Sequence, residues 1–398
     1  MFSSTVTAGV EWWRMSRILP AAVVVLLCCV LGVRAGDGDA EDVLMARWEP
    51  AAPMPTGVLD GAASAQGRRA AVTGGLTQLG VAAHVVQVYD IDTDTWDVPI
   101  HMVTARCFHT QVAIDEHRIL VAGGLTGQLV EGLTATAHCE TVDLGIGETD
   151  AIADLPRPAE APTSHRLDDG RIMVIGSLSA SILDPETMKW NKHIRLRAGR
   201  SYHASVVLPG DRVVIIGGVA RDSIEVVDVE QGISRMLAVK LPFALDDLSA
   251  AAIDENRVWI LGGQNSQTGD TTDPTWILDL SGEEPALNDG PPLRIHGGAA
   301  DQCMIITDGQ IVLAGGESQQ QGVDTELTTV RLLDLNDLTV RPMPSLTLPH
   351  DGAGGVALDG RVWVFGGLYV LGGRSGVPIA SNAVASLRLP ADANAADD

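Results

Sequence analysis

The sequence predicts an all-β fold, a seven-bladed β-propeller in which seven four-stranded sheets form a ring. A short apolar run that ends in two glycines, as in residues 361–367, recurs seven times after residue 65, with Ser177 replacing the second glycine once. The first glycines lie 41 to 53 residues apart, which is the period of a repeat whose unit is one blade. They are Gly74, Gly123, Gly176, Gly217, Gly262, Gly315 and Gly366.

Each unit also predicts the order of its strands. Four largely β-branched residues between turn signals suit a second strand that is buried on both faces. A tight-turn pair such as Asp169-Gly170 just before this run predicts a hairpin to the first strand. A third strand ends in an aspartate, and Trp96 and Trp190 mark a fourth strand after it. The aspartates are Asp90, Asp143, Asp184, Asp228, Asp279 and Asp334.

The chain resembles the kelch-repeat family of β-propellers, in the form of a bacterial secreted kelch-repeat protein. The family's unit carries a double glycine after the second strand, a Tyr-Asp at the end of the third and a Trp in the fourth. The first unit matches best, with Gly74-Gly75, Tyr89-Asp90 and Trp96, whereas most later units lack the Tyr or the Trp. The resemblance covers about residues 43–390 and implies the fold, but it says little about activity, because propellers carry many functions.

The ends of the repeat region predict how the ring closes. The seventh unit has no fourth strand, whereas residues 43–49, which include Trp48, have the pattern of a fourth strand with no blade before it. We therefore expect residues 43–49 to pair with residues 383–389 and to complete the last blade. Such a closure hides strand edges that would otherwise favour aggregation.

The segments before and after the predicted propeller indicate that the protein is exported. Residues 1–35 have two arginines before an apolar run and a small residue at the end, as in a secretory signal peptide, with Met15 as an alternative start of translation. Residues 36–42 are a linker, and residues 391–398 are expected to be a disordered acidic tail. We expect a secreted, periplasmic or cell-surface protein, which contacts a membrane only if the signal segment is retained.

The net charge and the cysteine content limit the kinds of partner and cofactor that we expect. A formal net charge of −24 disfavours nucleic acids and anionic membranes as partners. Cys107, Cys139 and Cys303 are expected to be isolated buried thiols, and no Cys or His spacing matches a structural zinc site. The acidic turn at residues 90–94 lacks the spacing of a calcium loop. We therefore expect a monomer without metal or other cofactor.

Candidate ligand-binding residues lie where the chain enters each blade and in one long loop. The motifs Arg106-Cys-Phe-His109 and Arg200-Ser-Tyr-His203 precede the first strands of two blades, and His350 lies before another. An Arg-x-x-His entry is common in kelch units for packing, but together these residues could surround the channel mouth and bind a ligand. Tyr369 and Arg374 are the candidates in the loop.

The connections between second and third strands predict which face binds. Because strands alternate in direction within a blade, these connections open on the same face as the entries to the first strands. They are short in blades 3 and 4 but long in residues 125–137, 264–275, 317–328 and 368–382. We expect ligand contacts from the arc of blades 5, 6, 7, 1 and 2, with Tyr369 near its centre.

Three functions remain open at this point. The preferred hypothesis is a non-enzymatic, exported scaffold that binds a protein or a glycan. The resemblance also implies an alternative, a carbohydrate-active enzyme such as a sugar epimerase or mutarotase, which would use Arg106 and Arg200 at the channel mouth. A remote alternative is a copper-radical oxidase, which needs a Tyr joined to a Cys, a second Tyr and two His ligands. The chain has only three tyrosines, Tyr89, Tyr202 and Tyr369.

Overall fold

The computed structural model describes residues 47–307, 309–371 and 377–389. These residues form the predicted seven-bladed β-propeller, in which every blade is an antiparallel sheet of at least four strands. The predicted signal peptide and linker, Arg374 and the predicted acidic tail lie outside the described residues. Within the described part of the chain, no helix is long and apolar enough to span a bilayer.

The four strands of each blade follow one another from the channel outwards. Blade 1 comprises Ala62–Gln66, Arg69–Thr73, Val85–Asp90 and an outer strand split into Thr95–Trp96 and Ile100–His101. Blade 2 comprises Thr110–Ala113, Arg118–Ala122, Cys139–Asp143 and Glu148–Ile152. Blade 3 comprises Thr163–Arg166, Ile172–Ile175, Ser179–Asp184 and Lys189–Arg195. Blade 4 comprises Ala204–Leu208, Arg212–Ile216, Ser223–Asp228 and Ile233–Lys240.

The remaining blades have the same order of strands. Blade 5 comprises Ser249–Ala252, Arg257–Leu261, Thr275–Asp279 and Ala286–Gly290. Blade 6 comprises Cys303–Thr307, Gln310–Ala314, Val330–Asp334 and Val340–Met343. Blade 7 comprises Gly354–Leu358, Arg361–Phe365, Val384–Arg388 and Glu49–Ala51. The third strands of blades 1 to 6 end at the six predicted aspartates.

Seven apolar layers, one between each pair of neighbouring blades, form most of the core. An eighth, smaller cluster includes Leu76 and Leu125. The second strands supply most of the core, because their apolar runs are buried on both faces, as in Ile172–Ile175, whose four residues have no exposed surface. Burial of about 1.5–3 kcal/mol per large apolar side chain makes these layers the main source of stability.

The ring closes at blade 7, as the sequence predicts, but the closing strand lies slightly later in the chain. It is Glu49–Ala51, and Glu49 pairs with Ser386 and Ala51 with Val384. Trp48 precedes this strand and packs with Leu387 in the layer between blades 6 and 7. The predicted bounds of 43–49 were therefore wrong, because Trp48 fills the blade interface and Pro50 is tolerated in an outer strand.

The long connections between second and third strands also differ from the prediction, because they contain β-strands and are not irregular loops. In blades 2, 6 and 7 they form β-hairpins that project from the face where the chain enters the first strands, and in blade 5 the connection pairs with the entry to its own blade. The hairpin strands are Leu125–Gln128 with Gly132–Ala135, Glu317–Gln320 with Val323–Glu326, and Leu368–Leu371 with Val377–Ala380. The pair in blade 5 is Leu245–Asp246 with Gln264–Asn265.

Candidate functional site: the channel mouth

Three residues enter each first strand, and we call them the entry segment. The entry segments are residues 58–60, 106–108, 159–161, 200–202, 245–247, 299–301 and 350–352. The second glycine of the preceding blade donates its N–H to the first carbonyl of six of them, as Gly75 does to Arg106 at 2.8 Å. Gly75 has a φ of +97°, and a Cβ at its neighbour Gly74 would collide with Arg106 O of the next blade. The glycine pair is therefore required where neighbouring blades meet.

The last residues of the seven entry segments form a ring, which we call the mouth ring. All seven have a left-handed φ between +42° and +62°, and all line one cavity of about 240 Å³. Backbone hydrogen bonds join several of them, such as Phe108 N–H to Asp60 O at 2.9 Å and Asp301 N–H to Asp247 O at 3.2 Å. The mouth ring consists of Asp60, Phe108, Ala161, Tyr202, Asp247, Asp301 and Gly352.

The mouth ring has an aromatic side and an acidic side. The rings of Phe108 and Tyr202 meet edge to face, with 5.7 Å between their centroids. Asp60, Asp247 and Asp301 provide three carboxyl groups, and the described residues that line the cavity include no lysine or arginine. Gly352 leaves room for Asp60, since a Cβ at position 352 would collide with the Asp60 carboxylate.

The predicted residues Arg106 and Arg200 do not face the mouth cavity. The guanidinium of Arg106 is fully buried and contacts Glu140 at 2.6 Å, Gly123 O at 2.7 Å and His138 O at 2.8 Å. Arg200 makes the equivalent contacts in its blade, with Glu225 and Gly217 O. Burial lowers the pKa of Arg200, and the charge of Glu225 opposes this effect. Both arginines therefore hold the entry segment to the third strand of the same blade.

His109 and His203 do line the mouth cavity, next to the two aromatic residues. Both are nine-tenths or more buried, and their Nε2 atoms lie 2.8 Å from Thr73 Oγ1 and 3.1 Å from Thr163 Oγ1. Burial lowers the pKa of His109 well below its usual value and that of His203 to about 3. Both imidazoles are therefore neutral at pH 7 and poorly suited to general acid chemistry.

His350 and Tyr369, which the sequence also predicts as ligand-binding residues, lie in an entry segment and in a hairpin. His350 is the first residue of the entry segment of blade 7 and is buried, with Nδ1 bonded to Gly366 O. Burial lowers its pKa, and the hydrogen bond opposes that shift. Tyr369 is half-buried in the hairpin of blade 7, and Arg374 lies outside the described residues. Of the predicted residues that the structure describes, only His109 and His203 line the cavity.

Sequence reasoning missed the mouth ring itself. The ring residues lie 14 or 15 residues before the first glycine of each unit, a register that can be read from the sequence. The histidines near the blade entries lie at irregular offsets from the glycines and do not share this register. Phe108 and Tyr202 come immediately before His109 and His203, and the same register in the other five units gives the remaining residues of the mouth ring.

The projections on this face form a continuous wall around blades 5, 6, 7, 1 and 2, which we call the arc. Hydrogen bonds join its neighbours: Thr271 N–H to Gln319 O at 2.9 Å links blades 5 and 6. Gln78 Nε2 to Pro378 O at 2.7 Å links blades 1 and 7, and Ala82 N–H to Gly127 O at 3.0 Å links blades 1 and 2. The hairpins of blades 6 and 7 touch each other. The wall is low at blades 3 and 4, where the connections are short.

Aliphatic side chains project from the arc into solvent. Leu79 and Val130 are 77% exposed, and Leu371 is 63% exposed. Val323 and Val377 are also exposed, on the hairpins of blades 6 and 7. Exposed aliphatic groups gathered on one structured wall are typical of a surface that contacts another protein.

The donor set for a copper-radical site is not assembled in the described residues. Tyr89 donates its hydroxyl to Asp94 at 2.7 Å and packs on Trp96 in blade 1, and it does not line the mouth cavity. Cys107, Cys139 and Cys303 are buried thiols outside any disulfide, as the sequence predicts. No group of three or more His, Cys, Asp or Glu side chains in this part of the chain could hold a metal ion. The residues present therefore do not fit such a site.

No protein-family model and no curated protein sequence matches this chain. Its fold is common, since 1328 chains of solved structures match it. One is described as a "novel fungal alcohol oxidase with catalytic diversity among the AA5 family, in complex with copper". That structure superposes with a TM-score of 0.68 and 17% identity, over 87% of this chain and 77% of the other. At this identity the likeness shows the fold alone, and the chain is a seven-bladed β-propeller.

Proposed function

We propose that the protein is an exported, non-enzymatic scaffold of the kelch-repeat type, which binds a protein ligand outside the cytoplasm through the arc. The observation that carries the proposal is the arc itself, a wall of hydrogen-bonded projections with exposed aliphatic side chains at its tips. The signal-peptide pattern of residues 1–35 supports export, and we expect the propeller to act as a monomer.

The side chains at the tips of the arc favour a protein ligand over a glycan ligand. Leu79, Val130 and Leu371 offer aliphatic surface, which packs against apolar side chains of a protein. A glycan would instead be held by exposed aromatic rings and by polar groups. Tyr369 is the only aromatic residue in the hairpin strands of the arc, and it lies in the central blade of the wall.

The geometry gives less support to the two enzyme alternatives. A sugar epimerase or mutarotase of the kind considered would present Arg and Glu side chains to a substrate, but Arg106–Glu140 and Arg200–Glu225 are buried pairs within blades. The copper-radical oxidase lacks an assembled donor set in the described residues. A rigid scaffold that carries one elaborated face is the function that these residues support best.

The test compares two variants of the mature protein in capture of extracellular proteins and in a glycan array. The first changes Leu79, Val130 and Leu371 to serine, and the control changes Val98 and Ile146, which are exposed but outside the arc, to serine. We expect the first variant to lose its partner while its melting temperature stays within about 3 °C of wild type. Unchanged capture by that variant, or turnover of a sugar by the wild type, would refute the proposal.

A further inference from the structure

We propose that the groove between the outer strands of blades 3 and 4 is a second binding surface, which takes a short acidic segment of another protein. We call it the flank groove; residues 194–197 and 232–234 line it, and it holds a cavity of about 410 Å³. It goes beyond the proposed function, because blades 3 and 4 are the two blades that the arc does not include.

The cations of the outer strands are concentrated on these two blades. The outer strands of blades 3 and 4 contain no aspartate or glutamate, and they contain all three lysines of the chain. The described outer strands of the other five blades contain a single lysine or arginine, Arg341. A protein with a formal net charge of −24 therefore has a local positive region here. Its cations are Lys189, Lys192, Arg195, Arg235 and Lys240.

Arg197, just after the outer strand of blade 3, supplies a guanidinium whose terminal nitrogens are free. It is exposed and lines the cavity. Its Nε donates to Ser234 O at 2.9 Å, and its Nη1 and Nη2 make no hydrogen bond to the described residues. Its backbone N–H donates to Glu225 Oε1 at 2.5 Å, but the buried Glu225 carboxylate is paired with Arg200. The two Nη groups therefore remain for a carboxylate brought by a ligand.

Two further cations at the groove have no carboxylate partner among the described residues. Lys192 Nζ donates to two carbonyl oxygens of blade 4, Val229 O at 2.8 Å and Glu230 O at 3.3 Å. This places Lys192 against Gly232, where a Cβ would collide with its side chain. Arg195 is exposed and lines the cavity. The groove therefore brings together three cationic side chains, and a group of charges binds more strongly than one exposed charge does.

The lining of the groove is partly apolar. Ile194 and Leu196 belong to the layer between blades 3 and 4, and both line the cavity. Ile233, on the blade 4 side, also lines it and is 48% exposed. An inorganic anion would leave this aliphatic surface in water. The groove therefore favours a ligand that has apolar groups beside its carboxylates.

The charge of the whole protein favours a short segment over a long polyanion. A formal net charge of −24 repels the parts of a nucleic acid or an acidic polysaccharide that extend beyond the groove. Lys189–Arg195 pairs on one side only, with the third strand of its own blade, so its other edge can receive an extended chain. Its seven residues span roughly 23 Å, which a ligand segment of similar length would cover.

The experiment measures the binding of a rhodamine-labelled peptide to the mature protein by fluorescence anisotropy. The peptide alternates glutamate and leucine over about seven residues, the length of the edge strand. A second peptide has glutamine at every glutamate position. We expect the acidic peptide to bind about tenfold or more tightly than the glutamine peptide, and to bind more weakly as salt is raised.

Variants of single arginines locate the binding. Arg197→Gln should weaken binding of the acidic peptide about tenfold, since it removes the free Nη groups. Arg195→Gln, which breaks no hydrogen bond among the described residues, should weaken it about threefold and keeps the test valid if Arg197→Gln unfolds. Arg341→Gln makes the same change on the outer strand of blade 6 and is the matched control, with binding within about twofold of wild type.

Four results would overturn the proposal. The first is equal binding of the two peptides, and the second is an equal loss in Arg195→Gln and Arg341→Gln. Aggregation of the arginine variants with unchanged peptide binding would mean that the cations only protect free strand edges. Polygalacturonate that binds more tightly than the peptide, or self-association of the wild type that Arg195→Gln abolishes, would assign the groove to an acidic glycan or to a second copy of the chain.

The flank groove and the arc can be tested separately. The variant with serine at Leu79, Val130 and Leu371 should bind the acidic peptide as tightly as wild type does, because all three residues lie on the arc. If that variant keeps its captured partner while the peptide still distinguishes Arg195→Gln from Arg341→Gln, only the proposed function fails.

Discussion

Replacing Trp48 by alanine tests whether the two ends of the chain hold the ring together. Trp48 is 8% exposed in the layer between blades 6 and 7, and its indole N–H donates to Pro344 O at 2.8 Å. A tryptophan buries about 200 Å², which at about 25 cal/mol per Å² contributes roughly 4–5 kcal/mol. The measured cost of Trp→Ala is about 3–5 kcal/mol. We therefore expect Trp48→Ala to lower the free energy of unfolding by about 4 kcal/mol.

Urea unfolding followed by circular dichroism measures this loss, and two further variants separate its causes. Trp48→Phe keeps most of the packing and removes the hydrogen bond, so it should cost about 1–2 kcal/mol. Trp190→Ala is the matched control, because Trp190 also donates to a carbonyl of the preceding blade, Ala153 O at 2.6 Å, but is less buried. A loss for Trp48→Ala below about 1 kcal/mol, or below that of Trp190→Ala, would refute the closure argument.

Two further predictions concern buried ionisable groups. Glu140→Gln should cost about 3–5 kcal/mol in urea unfolding, because Arg106 remains buried without its counter-charge. Asp222→Asn, which breaks an exposed pair with Lys240, should cost less than about 1 kcal/mol, and equal losses would contradict this reasoning. The pKa of His203 is about 3 when folded, against about 6.5 when unfolded, so only the unfolded chain gains a proton between these values. His203 alone should therefore lower stability by up to about 1.4 kcal/mol per unit from pH 6.5 towards 3, so the wild-type profile should be steeper than that of His203→Gln by about this amount; identical profiles would rule this out.

The fold could be predicted because its strongest requirements are local in sequence. A second glycine such as Gly75 or Gly367 must adopt a positive φ where the next blade's carbonyl approaches, so the glycine pair recurs in almost every unit. Aspartates at the ends of third strands recur for a related reason, since Asp90 accepts the N–H groups of Asp92 and Thr93 in the following turn. Such requirements are visible in one sequence.

The site could be predicted only in part, because its interactions join distant residues. The partner of Arg106 is Glu140, which lies 34 residues later and which no local pattern identifies. The hairpin of blade 2 likewise depends on a bridge between Leu125 and Cys107, which belongs to the entry segment. The sequence therefore indicated the face and the arc, but it placed two arginines at the mouth that belong to the interior of their blades.

The left-handed backbone of the mouth ring belongs to the scaffold. All seven positions adopt a left-handed conformation, which glycine accepts freely and which costs other residues roughly 1–2 kcal/mol. Gly352 is the single glycine among them, and aspartate tolerates this conformation better than most residues do. Phe108 and Tyr202 have no such tolerance, yet they occupy ring positions at φ values of +48° and +54°. Because the same conformation recurs in all seven blades, including at Ala161, it is a requirement of the fold, and the edge-to-face contact of Phe108 and Tyr202 is a packing interaction at the channel mouth.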